Sequence, residues 1–406
     1  MLDPEPLIII GSSVRAAAQS AVHAGFRPWC IDQFGDRDLT AISPNVHTVR
    51  DWPNEIESVI QSSPQADWVY TGALENRPVL IERLSQLRPL CGCNLETLSR
   101  LRDPLWIVDT LTKASLPCLP VIVPDSDNPV SSSTESGEWV IKPLASAAGI
   151  GVRDLSAGSA GTTSLDGNYL QQKARGRVIS GLYLAVEDST LLIGLCEQLC
   201  RGDDADGLHY VYSGSVGPLN TGDVPVGVFE QARKIALAIA ARLRAEHIPL
   251  RGLIGIDFVL DAETDELWTL EINPRYTASV EIYERVFSWP LMQWHVAACR
   301  GQDSNAVELL DSRSFNGEWQ VHGKLIVYAE RDFAAPDIVP LVERLSANGV
   351  KESIIDVADI PQLKTPIRKD EPICTLLTAQ ENFATCRAML TAGAHELLSL
   401  IHELAE

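Results

Sequence analysis

The chain has 406 residues, long enough for two to four packed units. Its net charge of −21, from 33 basic and 54 acidic residues, repels phosphate backbones and anionic lipid, so neither nucleic acid nor membrane is an expected partner. No apolar run reaches the roughly 18 residues of a spanning helix, and the start Met1–Glu5 lacks the basic stretch of a secretory signal.

In chain order, the first segment reads strand, turn, helix, strand. Leu7–Ile10 is an apolar run, Gly11-Ser12-Ser13 a turn, Val14–Ala24 an alanine-rich helix and Pro28–Asp32 a second strand. This βαβ start implies a parallel sheet. The turn lacks the second and third glycines that admit a pyrophosphate, so a dinucleotide is not expected there. Trp68–Thr71 reads as a strand and Asn76–Leu87 as a helix with Pro78 in its first turn. Asp103 and Pro104 open another helix as N-cap and first residue. Pro117, Pro120 and Pro124 mark an extended link, and Asp125–Gly137 is a polar loop. Trp139–Pro143 is a strand, Leu144–Gly151 a small-residue turn, and Tyr169–Gln172, Gly181–Glu187 and Thr190–Gln198 are short strands. Val228–His247 is a long amphipathic helix. Near the end come strands at Lys324–Ala329 and Pro372–Leu377, and helices at Pro340–Ala347 and from Ala384 onward.

The nine cysteines are scattered and fit a reducing, cytoplasmic setting. The close pairs Cys91/Cys93 and Cys196/Cys200 lack zinc-type spacing, so buried thiols are expected. No HxxxH or HExxH spacing occurs among the eight histidines.

The most informative segment is Leu253–Arg275. Two strands, Leu253–Leu260 and Leu267–Arg275, flank the polar turn Asp261–Glu266. A turn centred on Thr264 sets Asp257 opposite Glu271. Alternation then puts Gly255, Asp257, Thr269, Glu271, Asn273 and Arg275 on one face. The other face takes Ile254, Ile256, Phe258, Leu260, Trp268, Leu270 and Ile272. Two carboxylates facing each other at about 5 Å repel unless a cation lies between them or one is protonated. Magnesium takes such oxygens, so Asp257, Glu271 and Asn273 are candidate metal ligands, with Arg275 beside them for phosphate charge. A solvent-facing acidic hairpin is the other reading of the same pattern.

Leu270-Glu-Ile-Asn-Pro-Arg275, with Gly255-Ile-Asp257-Phe upstream, resembles the metal-binding signature of the ATP-grasp superfamily. The order of elements agrees over about the first 280 residues. The resemblance implies an α/β chain: a Rossmann-like N-terminal domain (1–102), an ATP-grasp α+β domain (103–315) and a small α+β C-terminal domain (316–406). It implies ATP with Mg2+, or Mn2+ in its place. Lys142 matches the phosphate-reaching lysine. Ser146-Ala-Ala-Gly149-Ile-Gly151 resembles the glycine-rich loop over the phosphates. Tyr169-Leu-Gln171-Gln172 resembles the hinge that receives adenine and ribose, with Gln172 where the family often has Glu. The family's further phosphate-region lysine, usual near the helix at Asp103, is replaced by Arg102.

Tyr70–Asn76, Leu101–Pro104, Tyr212–Pro218, Leu270–Tyr283, Gly323–Ala329 and Asp359–Thr375 resemble a narrower group distantly related to biotin carboxylase. Its members accompany one-carbon metabolism based on tetrahydromethanopterin and methanofuran-type cofactors, and one branch joins tyramine to glutamate. Glycines usual in the tail are replaced near Lys364 and Asp370, and no biotin attachment site is visible. The implied activity is a carboxylate–amine ligase acting through an acyl phosphate, glutamate-linking in cofactor assembly. Lys142 and Arg275 are the implied charge-stabilising residues, and the partners are a small carboxylic acid and an amine. A homodimer is allowed. Arg15, Glu75, Asn76, Tyr212, Ser215 and Glu281 are candidates for the acceptor pocket. A carboxylating or phosphorylating enzyme and a non-catalytic ATP-binding regulator are the alternatives.

Overall fold

The computed structural model describes residues 3–124, 138–155, 165–187, 189–202, 208–302, 304–311, 315–347 and 356–404. The loop expected at 125–137 lies outside them.

The opening apolar run forms β1 (Pro6–Ile10), and Leu7 through Ile10 are fully buried, as both faces of a covered parallel strand must be. Then come α1 (Arg15–His23), β2 (Arg27–Asp32), α2 (Arg37–Ile42), β3 (Val46–Thr48), α3 (Ile56–Gln61) and β4 (Trp68–Tyr70). The four strands pair in parallel in the order β3-β2-β1-β4. The turns after β1 and β4 therefore open side by side where the strand order reverses. α4 (Pro78–Leu87), α5 (Leu95–Leu101) and α6 (Pro104–Lys113) lead out. Asp103 caps α6 by accepting from the Leu105 amide, with Pro104 at the first helical position.

β5 (Val121–Ile122), β6 (Trp139–Pro143), β7 (Arg153–Asp154) and β8 (Asn168–Gln172) form an antiparallel sheet ordered β5-β8-β6-β7. One face buries Trp139, Ile141 and Leu170 in a small core. The register puts Val140, Lys142, Tyr169 and Gln171 on the other.

The large sheet starts with β9 (Gly176–Val186), β10 (Ser189–Cys200) and β11 (Tyr212–Gly217). α7 (Val228–Ala245), β12 (Gly252–Asp261), β13 (Leu267–Asn273), α8 (Val280–Phe287), α9 (Leu291–Arg300) and α10 (Ala306–Asp311) follow. The chain ends with β14 (Val321–Tyr328), β15 (Phe333–Ala334), α11 (Ile338–Ala347), β16 (Asp356–Ala358), β17 (Pro366–Ile367), β18 (Pro372–Gln380) and α12 (Phe383–Leu404). The sheet is antiparallel in the order β13-β12-β9-β10-β11-β14-β18-β16. At 11 and 12 residues, β9 and β10 exceed the short strands expected. Pairing of Gly176–Ser180 with Asp257–Asp261 carries β9 beyond its apolar stretch. The strands β14, β16 and β18 do not make a sheet of their own but continue this one past β11, while β15 and β17 pair apart. Lys364 and Asp370, where the resemblance expected glycine, keep left-handed backbones with φ of +63° and +70°.

α7 covers one face of the large sheet, packing on Tyr183, Ile254, Ile256 and Phe258. α1, α8 and α9 share a core with Leu182, Leu184 and Leu253 on the other face, which turns polar at Ser180 and Asp257. The hairpin register matches the expectation as far as Asp257 opposite Glu271, and then a bulge intervenes. Beyond it Phe258 faces Thr269 and Leu260 faces Leu267, so three face assignments are corrected. Thr269 joins the core side, buried with an unpartnered hydroxyl, while Trp268 and Leu270 leave the core. All nine cysteines are free thiols. Among the described residues no helix is long and apolar enough to cross a membrane.

Candidate active site

Asp257 sits at the polar end of its sheet face, 8% exposed. Its Oδ1 accepts from the Ser180 hydroxyl at 2.7 Å and from the Gln198 amide at 2.6 Å. The Asn273 amide nitrogen donates to Asp257 Oδ2 at 2.8 Å and to Glu271 Oε1 at 3.2 Å, so one NH2 group bridges both carboxylates. Asn273 Oδ1 accepts from Arg275 at 3.2 Å. Burial and the facing Glu271 push Asp257 up to about 7, against the Ser180 bond and the charges of Arg275 and Lys142. Burial also works against Glu271, but Lys142 and Arg102 outweigh it and hold this carboxyl below its ordinary range. The pair behaves as two carboxylates competing for one site of charge.

Three cations surround the pair. The Lys142 ammonium donates to Gln171 Oε1 and to the Leu270 carbonyl, each at 3.2 Å, and lies 5.8 Å from the Tyr169 ring centre. Burial pulls Lys142 down, yet Tyr169 and Glu271 outweigh it, so the ammonium is held charged. Arg102 donates to Asn76 Oδ1 and to the Ser146 carbonyl, each at 3.0 Å, and stands 3.9 Å from Glu271. Arg275 contacts the buried Glu75 carboxylate at 2.8 Å.

A cleft runs from these groups between the four-stranded antiparallel sheet and the β13 edge of the large one. Its walls include the apolar side chains of Leu101, Ile107, Leu111, Leu119, Val121 and Leu144, and its polar end holds Arg102, Lys142, Gln171 and Glu271. Ser146 and Gly149 also line it. Two expected residues do not. Gln172 pairs with Trp139, on the face opposite Lys142, and Gly151 stays outside the lining. In β8 the alternation selects Tyr169 and Gln171 instead.

The expected acceptor residues divide. Glu75 and Asn76 reach the site through Arg275 and Arg102. Tyr212 and Ser215 bond each other at 2.8 Å. Arg15 and Glu281 are locked together, with Lys324 and Asp359, in a buried ion cluster. Ser180 and Gln198 were not read from the sequence. Their signal is cross-strand, since Ser180 pairs with Asp257, and no local motif reports it.

Among the described residues no three His, Cys, Asp or Glu side chains converge as a metal cluster. Two carboxylates and an amide are nevertheless the donor set that suits Mg2+, which takes its remaining ligands from phosphate and water. Asp257 and Glu271 fit that role; Asn273 fits it once its amide turns Oδ1 inward.

The family model of the ATP-grasp domain matches residues 107–279. No curated protein sequence matches the chain. Several solved structures share its fold at low identity. N5-carboxyaminoimidazole synthetase from Staphylococcus aureus, complexed with ADP, aligns with TM-score 0.68 at 14% identity, over 96% of this chain and 97% of that one. L-amino acid ligase from Bacillus licheniformis aligns with TM-score 0.68 at 12% identity, over 98% of each chain. The biotin carboxylase domain of Hydrogenobacter thermophilus 2-oxoglutarate carboxylase, with MgADP, ADP and bicarbonate, aligns with TM-score 0.66 at 12% identity, over 95% of this chain and 89% of that one. Residues 107–279 thus match the ATP-grasp domain, within a fold that the chain shares over nearly its whole length with the carboxyaminoimidazole synthetase, the amino acid ligase and the biotin carboxylase domain.

Proposed function

We propose that this protein is an ATP- and Mg2+-dependent ligase that joins a carboxylic acid to an amine through an acyl phosphate. The observation that carries this reading is the Asp257–Asn273–Glu271 group, which meets the polar end of an apolar slot through Glu271, flanked there by the cations Lys142 and Arg102. The slot suits a flat nucleobase and the polar end suits its phosphates. Mg2+ or Mn2+ held by Asp257, Glu271 and Asn273 would offset phosphate charge when bound.

The chain's own residues then have defined tasks. Lys142 and Arg102 neutralise phosphate oxygens, and Arg275 does the same for charge developing on the acyl group. The carboxylate oxygen of the acid attacks the γ-phosphorus, the bond to the bridging oxygen breaks, and ADP leaves. The amine nitrogen attacks the acyl carbon, inorganic phosphate leaves with the C–O electrons, and a proton is released. Positioning and charge are what the protein supplies, and no protein nucleophile is needed.

The finer assignments rest on the sequence resemblance: glutamate as one substrate, one-carbon cofactor assembly as the setting, and units of 1–102 (Rossmann-like), 103–315 and 316–406. The free cysteines suit a cytoplasmic setting. A second reading, with bicarbonate as the acid, is favoured by the bicarbonate of the 2-oxoglutarate carboxylase structure.

Hydroxylamine separates the chemistry. With an acid substrate, ATP and Mg2+, it should intercept the acyl phosphate as a hydroxamate with release of ADP; AMP and pyrophosphate would overturn the mechanism. Lys142→Ala should weaken ATP binding by about ten- to a hundredfold, the loss of a charge-assisted contact. Unchanged affinity by calorimetry would remove Lys142 from the site.

A further inference from the structure

The glycine-containing turn between β6 and β7 lines the cleft through Ser146, Ala147 and Gly149. β7 is too short to fix it, contributing only the pairs Val140–Asp154 and Ile141–Arg153. The turn is held from outside instead, by residues 208–212. The Tyr212 amide donates to the Ala148 carbonyl at 3.0 Å. Gly149, at φ +74°, approaches so closely that a β-carbon there would lie 2.0 Å from the Tyr210 carbonyl oxygen. At the exit of the turn, Asp154 Oδ1 accepts from the Tyr210 hydroxyl at 2.6 Å and from the Lys173 ammonium at 2.8 Å. Asp154 Oδ2 lies 3.5 Å from His209 Nε2. The His209 and Tyr210 rings pack at 4.0 Å, and Lys173 lies over the Tyr210 ring at 5.8 Å. Residues 208–212 run directly into β11, and the Tyr328 hydroxyl of β14 donates to the Tyr212 carbonyl at 2.8 Å.

We propose that Tyr210 and Asp154 are positioning residues that seat the turn 146–151 on the large sheet, so that its cleft-facing donors are set before a phosphate arrives. The two ends of the seat differ in kind. At Ala148 the contact is backbone to backbone and independent of side-chain identity. At Asp154 it is one carboxylate that accepts from Tyr210 and Lys173, on two segments, with His209 beside it. That second contact ties the small sheet to the large one, and it alone is removable by substitution. Through the hydrogen bond to Tyr210 and the chain from there into β11, it also links the cleft side of the turn to Ser215 and, across the β11–β14 ladder, to Lys324.

The seat is tested in the free protein by hydrogen exchange at the amides of Ile150, Val152 and Tyr212, each of which donates within or onto the turn. Its ligand, but not the seat itself, rests on the nucleotide reading of the cleft. Tyr210→Phe and Asp154→Ala should each speed exchange there by about three- to tenfold, as loss of a partly exposed hydrogen bond to a charged group would. Amides of β1 should not change. Asp154→Asn still accepts from Tyr210 and should recover part of the protection. The double variant should be no worse than the worse single one, because both remove the same bond. MgATP affinity, measured in parallel, should fall by a similar factor. Wild-type exchange at all three amides in both single variants would overturn the proposal. If exchange rises as stated while the wild-type protein binds no MgATP, the seat stands and the nucleotide reading falls.

Discussion

Glu271→Gln should lower ATP-dependent turnover by about a thousandfold or more, with the melting temperature nearly unchanged. Glu271 is the exposed member of its pair: 34% of its side chain meets solvent, and its contacts are the Asn273 amide and Arg102 at 3.9 Å. An isosteric amide there disturbs little of the fold. The charge is another matter, because it is the counter-charge that Lys142 and Arg102 sustain and that a dication requires. The Asp257→Asn change is a poorer probe, since Asp257 is buried with three hydrogen-bond donors and its loss would unsettle the sheet. Thermal melts and ADP release, run on the same preparations, check the prediction. Full activity in the Glu271→Gln variant would sink the metal assignment.

Arg15→Ala should cost about 3–5 kcal/mol of stability, the penalty of stranding a buried charge. The Arg15 side chain is 3% exposed and its guanidinium meets Glu281 at 2.5 and 3.1 Å and Asp359 at 2.9 and 3.2 Å. Lys324 holds the far oxygen of Glu281 at 2.7 Å. The cluster joins the first helix, α8 and the C-terminal strands. Burial pushes Glu281 up, but Lys324 and Arg15 outweigh it and hold the carboxyl well below its ordinary range; at Asp359 burial also raises the carboxyl, and Arg15 with Lys324 brings it below its ordinary value. Folded values below unfolded ones give stability that is complete above the unfolded carboxylate pKa of about 4 and is lost as pH falls through the folded values. Urea titrations on both proteins should therefore show a steep acid loss for the wild type and a shallower one for the variant. A loss below about 1 kcal/mol together with a raised substrate KM would instead return Arg15 to the acceptor pocket.

Local signals in the sequence were sufficient wherever one element explained itself. The caps at Asp103 and Pro104, the first βαβ unit and the Asp257–Glu271 register all depend on residues close in the chain. The bulge after Asp257 was not legible, because nothing in Thr269 or Leu270 announces an extra residue in the ladder. It moved Thr269 into the core and Trp268 out of it. Gln171 and Gln172 could not be ranked until the pairing of β6 with β8 fixed which one shares a face with Lys142. Ser180, Gln198 and the Arg102 contacts come from strands and helices far apart in sequence. Arg15 and Glu281 read as loop-end polar residues; only packing shows that each is the other's partner. Lys364 and Asp370 show the reverse case, in which a backbone conformation outlasts the glycines that would favour it.

Incubation of the protein with ATP, Mg2+, glutamate and a panel of amines and acids, followed by ADP assay and mass spectrometry, tests the central claim most directly. The account predicts ADP release with one pair only, and a product lighter than the two substrates together by one water. An adduct that retains a carboxylate derived from bicarbonate, or a phosphorylated product with no amide, would contradict it.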